Sequence, residues 1–185
     1  LEMFRNSKVP DKKMDEMIKE LPSLRYWDLG ASGEEGDNTA ANLSYYDGEF
    51  LYFRKQLNKG LTPLQVNNYF VDVTLRDGKE TTVRIEQEPG ASSKVLINKF
   101  SHHPKLKGHR IRSDKVRNAG DKLTRSFDLQ SLAEDGKVLI AESIFDEVVN
   151  ELVEFTGEDG GTDNIVDTCT GAARYWLRPK RKVNA

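Results

Sequence analysis

Asp47-Gly48, set between two runs of strand-like residues, constrains the fold of this chain more than any other pair. Residues 39–46 and 50–54 both read as strands, and Asp-Gly between such runs is a strong hairpin signal, because glycine tolerates the positive φ of a tight turn. A further apolar run, 24–28, precedes them across the polar turn Gly30-Ala31-Ser32-Gly33-Glu34-Glu35-Gly36-Asp37. The three runs predict sequential antiparallel strands. Thr62-Pro63 then opens a helix, with threonine as N-cap and proline at the first helical position. Leu64, Val66, Tyr69, Phe70 and Val73 supply its apolar stripe, and Asp77-Gly78 ends it.

Beyond Gly78 the pattern alternates. Residues 81–85 are β-branched and strand-like, and Pro89-Gly90 turns the chain into a helix over 91–100. A short strand follows at 109–112, a helix at 121–133, a strand at 138–140 and a helix at 144–155. After Gly160-Gly161 the last helix spans 163–177. Antiparallel strands followed by alternating helix and strand predict an α/β fold, a mixed sheet with helices on both faces. That order resembles the ribonuclease H-like fold. Residues 1–22 read as an appendage: a charged helix over 11–21, with Met14, Met17, Ile18 and Leu21 on one side, stopped by Pro22. The domain itself is expected over 23–178, with a basic tail at 179–185.

Acidic residues stand at the ends of several of these runs. Asp28 closes the first strand and Glu86 closes the strand at 81–85, while Asp163 and Asp167 open the last helix. Folding three distant segments together gathers these carboxylates, which then repel one another unless a cation lies between them. The arrangement points to a divalent-metal site with hard oxygen ligands, Mg²⁺ or Mn²⁺. Asp163 and Asp167 are spaced i, i+4 and share a helix face. Each also has an ordinary role open to it, Asp163 at a helix N-terminus and Asp167 as a surface acid. Two divalent ions held by such carboxylates are suited to phosphodiester hydrolysis, since they activate water and neutralise the leaving oxygen.

Charge bears on the substrate. Across 185 residues the net charge is only −2, which does not advertise nucleic-acid binding. The distribution is less even: residues 94–125 hold ten Lys/Arg against Asp114 and Asp121, whereas 134–163 hold ten acids against Lys137. One face is thereby suited to a polyanion. Lys122 and Arg125, at i and i+3, are placed to clamp one phosphate, and Arg110, Arg112, Lys115 and Arg117 to give diffuse backbone contact. No apolar run approaches the roughly 20 residues of a bilayer span, so no membrane role is expected. The single Cys169 excludes an internal disulfide and is compatible with a reducing cytosol. Its neighbours Val166, Ala172 and Ala173 on one helical face predict a core position.

Four motifs, taken in order, carry a resemblance. Tyr26-Trp27-Asp28-Leu29-Gly30-Ala31-Ser32, followed by Gly36-Asp37-Asn38-Thr39-Ala40, resembles the opening of the nuclease domain of phage large terminases. Ile85-Glu86-Gln87-Glu88-Pro89-Gly90-Ala91-Ser92-Ser93-Lys94 is similar to that family's second acidic motif. Gly120-Asp121-Lys122-Leu123-Thr124-Arg125 is similar to its basic motif, and Thr162-Asp163-Asn164-Ile165-Val166-Asp167 to its third acidic motif. The resemblance implies a ribonuclease H-like endonuclease that cuts double-stranded DNA with two metal ions during genome packaging. It implies Asp28, Glu86 and Asp163 as catalytic metal ligands, Asp167 as a further ligand and Asp37 as an additional acid; Glu88, which shares strand parity with Glu86, is a further candidate acid. The family often has two adjacent acids in the third motif; here the second position is Asn164, which leaves Asp163 and Asp167 unranked.

The family joins this nuclease to an ATP-driven motor. The chain contains no G-x-x-x-x-G-K-[ST] phosphate loop. The resemblance therefore implies an excised nuclease domain with 1–22 as the residue of the connection. Its expected partners are a motor domain, a small terminase subunit and a portal, in the host cytoplasm during virus assembly. Two rivals stay open: another ribonuclease H-like nuclease acting on junctions or RNA–DNA hybrids, and a non-catalytic DNA-binding or packaging-interaction module.

Overall fold

The turn chemistry read from the sequence closes as its residues dictate. The computed structural model describes residues 2–30, 38–87, 91–115, 122–156 and 163–178. In the Asp47-Gly48 turn, Asp47 Oδ1 accepts the amides of Glu49 (2.8 Å) and Phe50 (2.7 Å), and Gly48 takes φ +105°. This turn joins β3 (Thr39–Tyr46) to β4 (Leu51–Lys59), and β2 (Ser23–Asp28) pairs antiparallel with β3 on its other side. Helix α2 (Pro63–Asp77) starts at a complete capping box: Thr62 Oγ1 accepts Gln65 N–H, and Gln65 Oε1 accepts Thr62 N–H.

The remaining elements are β5 (Thr82–Gln87), α3 (Ala91–Ser101), β6 (Arg110–Lys115), α4 (Lys122–Glu134), β7 (Val138–Ala141), α5 (Phe145–Glu154) and α6 (Asn164–Leu177). Preceding them all are β1 (Lys8–Val9) and α1 (Asp11–Ile18). One sheet runs in the order β1-β7-β4-β3-β2-β5-β6. Strands β5 and β6 add parallel beside β2, and β7 adds parallel beside β4. The expected mixed sheet is therefore present, antiparallel at its centre and parallel at its flanks.

Alternation along β2 sorts its side chains to two faces. Trp27 packs against Phe70, Val83, Ile85, Ile97 and Phe100, under α2 and α3. Phe70 stacks on Phe100 with ring centroids 3.9 Å apart. On this face Arg25 forms a two-pronged ion pair with Asp77, at 2.7 and 2.9 Å, with side chains only 2% and 4% exposed. Leu24 and Tyr26 face the other way, into a core shared with Leu51, Phe53, Ile140, Val148, Ile165 and Cys169. Cys169 is fully buried there, and burial pushes its thiol pKa well up, as a core role requires.

Three expectations change. Residues 1–22 are not a detached appendage: β1 pairs with Ile140 and Ala141 of β7, and Phe4, Val9, Met14 and Ile18 are buried in the second core. The helix expected over 11–21 stops at Ile18. A β-bulge opposite Leu43 and Ser44 helps to dock α1. At that bulge Arg54 grips Asp15 at 2.6 and 3.1 Å. Finally, the strand expected at 109–112 continues to Lys115, because parallel pairing with β5 runs to Gln87. Glu86 accordingly sits within β5 and not at its end.

Candidate active site

The parallel register sets Glu86 directly beside Asp114, and Trp27 beside Ile85. Asp28, one residue past Trp27, therefore stands at the same carboxyl-terminal edge of the sheet. By alternation Tyr26, Asp28, Glu86 and Asp114 share the face covered by α6. Gly171 permits the close approach: a Cβ there would lie 2.3 Å from the Tyr26 ring. Helix α6 thus lies almost on β2, bringing its acidic N-terminal turn over the strand ends.

Glu86 and Asp114 are both buried, and each is held by arginines. Arg125 Nη1 of α4 donates to Glu86 Oε1 at 3.0 Å, and its Nη2 lies 3.9 Å from Asp167 Oδ1. Arg174 Nη2 of α6 donates to the Tyr26 hydroxyl at 3.2 Å and lies 3.8 Å from Glu86 Oε2 and 3.9 Å from Asp114 Oδ2. Arg178 forks onto both Asp114 oxygens at 2.8 and 3.3 Å. The Tyr26 hydroxyl is 2.9 Å from Asp114 Oδ2 and 3.3 Å from Glu86 Oε2. A hydroxyl has one proton, and the shorter contact to Asp114 claims it. Burial, and then the charge of Asp167, push the Glu86 carboxyl up to about 7, although Arg174 and Arg125 pull it the other way. Burial and the two nearby carboxylates hold the Tyr26 hydroxyl far above the usual range.

The N-terminus of α6 is capped from a neighbouring helix. Glu151 Oε1 of α5 accepts the amides of Ile165 at 2.6 Å and Val166 at 3.3 Å. Asp163 occupies the N-cap position but makes no side-chain capping bond, while the Asp167 amide closes the first turn on Asp163 O at 2.8 Å. Asp167 is buried and faces Arg125 and Glu86, whereas Asp163 lies nearer Glu151, whose pKa it helps raise after burial itself. The two acids therefore have different neighbours, Asp167 against Arg125 and Glu86 and Asp163 toward Glu151.

Other expected site residues scatter. Arg110, at the start of β6, binds Glu80 O and lies 3.5 Å from Glu80 Oε2. That end of β6 is about 13 Å from Asp114 at the usual rise per residue. Arg112 and Lys115 are exposed on the same strand. Lys122 opens α4, its side chain outside those described, and Arg125 turns inward where an outward phosphate clamp was expected. Asp37, Glu88 and Arg117 lie outside the described residues.

Sequence reasoning passed over Asp114, Tyr26, Arg174, Arg178 and Glu151. Asp114 was masked by its polar neighbours Ser113 and Lys115, although its i+2 spacing from Arg112 was a strand signal. Tyr26 read as part of an apolar run, and Arg174 and Arg178 carried no local signal toward a site.

Among the described residues, no three His, Cys, Asp or Glu side chains converge as a cage for a metal ion. The donor chemistry nevertheless suits a hard divalent cation. The ligands on offer are carboxylate oxygens, Glu86 and Asp167 disfavour each other's charge, and a guanidinium supplies the positive charge between them.

No protein-family model and no curated protein sequence matches the chain. Solved structures do. The large terminase of a thermophilic bacteriophage matches with TM-score 0.66 and 16% identity, over 95% of this chain and 43% of that one. The chain thus spans less than half the length of that protein. The nuclease domain of the bacteriophage SPP1 large terminase, solved with bound Mn, matches with TM-score 0.64 and 14% identity, over 94% of this chain and 98% of that one. The fowlpox virus Holliday junction resolvase matches with TM-score 0.51 and 13% identity, over 83% and 96%. The fold is ribonuclease H-like, that of the terminase nuclease domains.

Proposed function

We propose that the chain is the nuclease domain of a phage large terminase, a metal-dependent endonuclease that cuts concatemeric double-stranded DNA during packaging. The juxtaposition of Asp28, Glu86 and Asp114 on one sheet edge, facing Asp167 from α6, supports this above all. Manganese in the similar SPP1 domain supports the choice of cation. Asp28, Glu86, Asp163 and Asp167 would hold two divalent ions, Mg²⁺ or Mn²⁺. Bound there, such ions would lower the pKa of an attacking water and neutralise charge building on the phosphate. Arg174 orients Glu86, Tyr26 orients Asp114, and Glu151 holds the turn of α6 that carries Asp167. Lys115, Lys122 and Arg112 contact the DNA backbone, which carries no sequence information, so the isolated domain cuts with weak sequence preference. Timing then comes from a motor domain, a small terminase subunit and a portal, in the host cytoplasm.

Plasmid DNA incubated with the domain and Mn²⁺ is expected to be nicked and linearised, and Asp28→Asn is expected to abolish cutting with an unchanged melting temperature. Intact plasmid at high wild-type concentration would leave a non-catalytic DNA-binding module as the better description. Likeness to the fowlpox resolvase favours one second reading, resolution of branched DNA. Competition between linear duplex, four-way junction and RNA–DNA hybrid separates the two, with preference for the junction counting against a packaging enzyme.

A further inference from the structure

Arg125 reads in the sequence as a surface cation for DNA, yet its side chain is only 13% exposed. Its guanidinium lies across two carboxylates from different elements, 3.0 Å from Glu86 Oε1 on β5 and 3.9 Å from Asp167 Oδ1 on α6. The arrangement is not one of full hydrogen-bond satisfaction. Arg125 Nε is buried without a hydrogen-bond partner among the described residues, a costly state for a charged group. Arg174 shares an unpartnered Nε among the described residues but differs in its other contacts: it is tied at once to Tyr26, Glu86 and Asp114, and stays anchored if Glu86 moves. Arg125 is held by the two acids themselves. Its place between them is where a cation must sit to relieve their repulsion.

We infer that Arg125 is an internal counter-cation that competes with divalent metal for Glu86 and Asp167. This rests on the reading of those acids as metal ligands. A guanidinium and a divalent ion cannot share the same carboxylate oxygens, since like charges at such separations repel strongly in a partly buried site. Metal entry therefore expels Arg125. The side chain springs from the second turn of α4, beside exposed Leu123, Thr124 and Phe127, so a rotamer change carries its head to solvent without moving the helix. There its planar fork suits a phosphate oxygen pair of the DNA backbone. The metal-free enzyme thus holds its carboxylates neutralised, and the same arginine becomes a phosphate ligand only once metal is bound.

Titration calorimetry with Mn²⁺ tests this on wild type, Arg125→Ala and Arg125→Lys, each checked for fold by thermal melting. Arg125→Ala is expected to bind Mn²⁺ about tenfold or more tighter than wild type, with Arg125→Lys between the two. Equal or weaker binding by a folded Arg125→Ala, with wild type binding Mn²⁺, would overturn the inference and leave the metal site standing. Absence of Mn²⁺ binding by every protein would remove both. Should Arg125→Ala fail to fold, ¹⁵N spectra of the wild-type arginine side chains during Mg²⁺ titration decide instead. The Arg125 Nε–H resonance is expected to move to a solvent-exposed position as Mg²⁺ saturates, and an unmoved resonance at saturation refutes displacement.

Discussion

The two faces of the central sheet bury charge in different ways. Under α2, Arg25 meets Asp77 as a one-to-one pair, bidentate and sealed beside the stack of Phe70 on Phe100. Under α6, Glu86, Asp114 and Asp167 share Arg125, Arg174 and Arg178 in overlapping contacts, several of them near 3.9 Å. A one-to-one pair has nothing to exchange. A shared network leaves carboxylates that a better cation can claim, which separates a buried ion pair that holds the fold from one open to exchange.

That contrast can be broken at either face. Asp77→Ala has the largest expected effect, since it strands Arg25 in the aromatic core. A loss of about 3–5 kcal/mol in urea unfolding is expected, with unchanged cutting by the fraction that remains folded. Impaired cutting without lost stability would place that pair in the working site. Next comes Glu86→Gln, measured in EDTA. The folded Glu86 carboxyl titrates near 7, above its ordinary 4.5, so the native state binds the extra proton between those values. Wild-type stability therefore falls as pH rises from about 4.5 to 7, by about 3 kcal/mol, while the variant lacks this loss and is the more stable protein at pH 8. Parallel stability curves for the two would mean that Glu86 stays charged and well paired. The smallest expected effect is Gly171→Ala, which in an open helix adds stability. Here the methyl meets the Tyr26 ring, and a net loss of about 1–3 kcal/mol is expected in thermal or urea unfolding. A gain would show that α6 lifts from β2 at little cost.

The same contrast explains what the sequence disclosed. Regular elements were legible because their periods are clean: the capping box at Thr62 and the Asp47 turn are local chemistry, decided within a few residues. Glu86 and Asp167 stood out because acids bordering apolar runs are unusual, and the fold brings both to Arg125. Asp114 was not, because its burial depends on Arg178 and Tyr26, residues that no local pattern links to it. Arg125 was identified as a cation but given the wrong surroundings, since a helical face says nothing of the acid that will meet it. Residues 1–22 look peripheral by composition and become part of the core because β1 pairs with β7 and Phe4, Val9, Met14 and Ile18 are buried.

Tyr26 joins the site through polar contacts that span 60, 88 and 148 residues, to Glu86, Asp114 and Arg174. Such separations put the cluster among the slowest contacts to form. On the ribosome the strands that carry Asp28 and Glu86 emerge well before α6, and Asp114 has no arginine fork until Arg178 has been made. The carboxylates thus stay apart during most of synthesis, and a chain truncated before Arg178 is born without the assembled cluster.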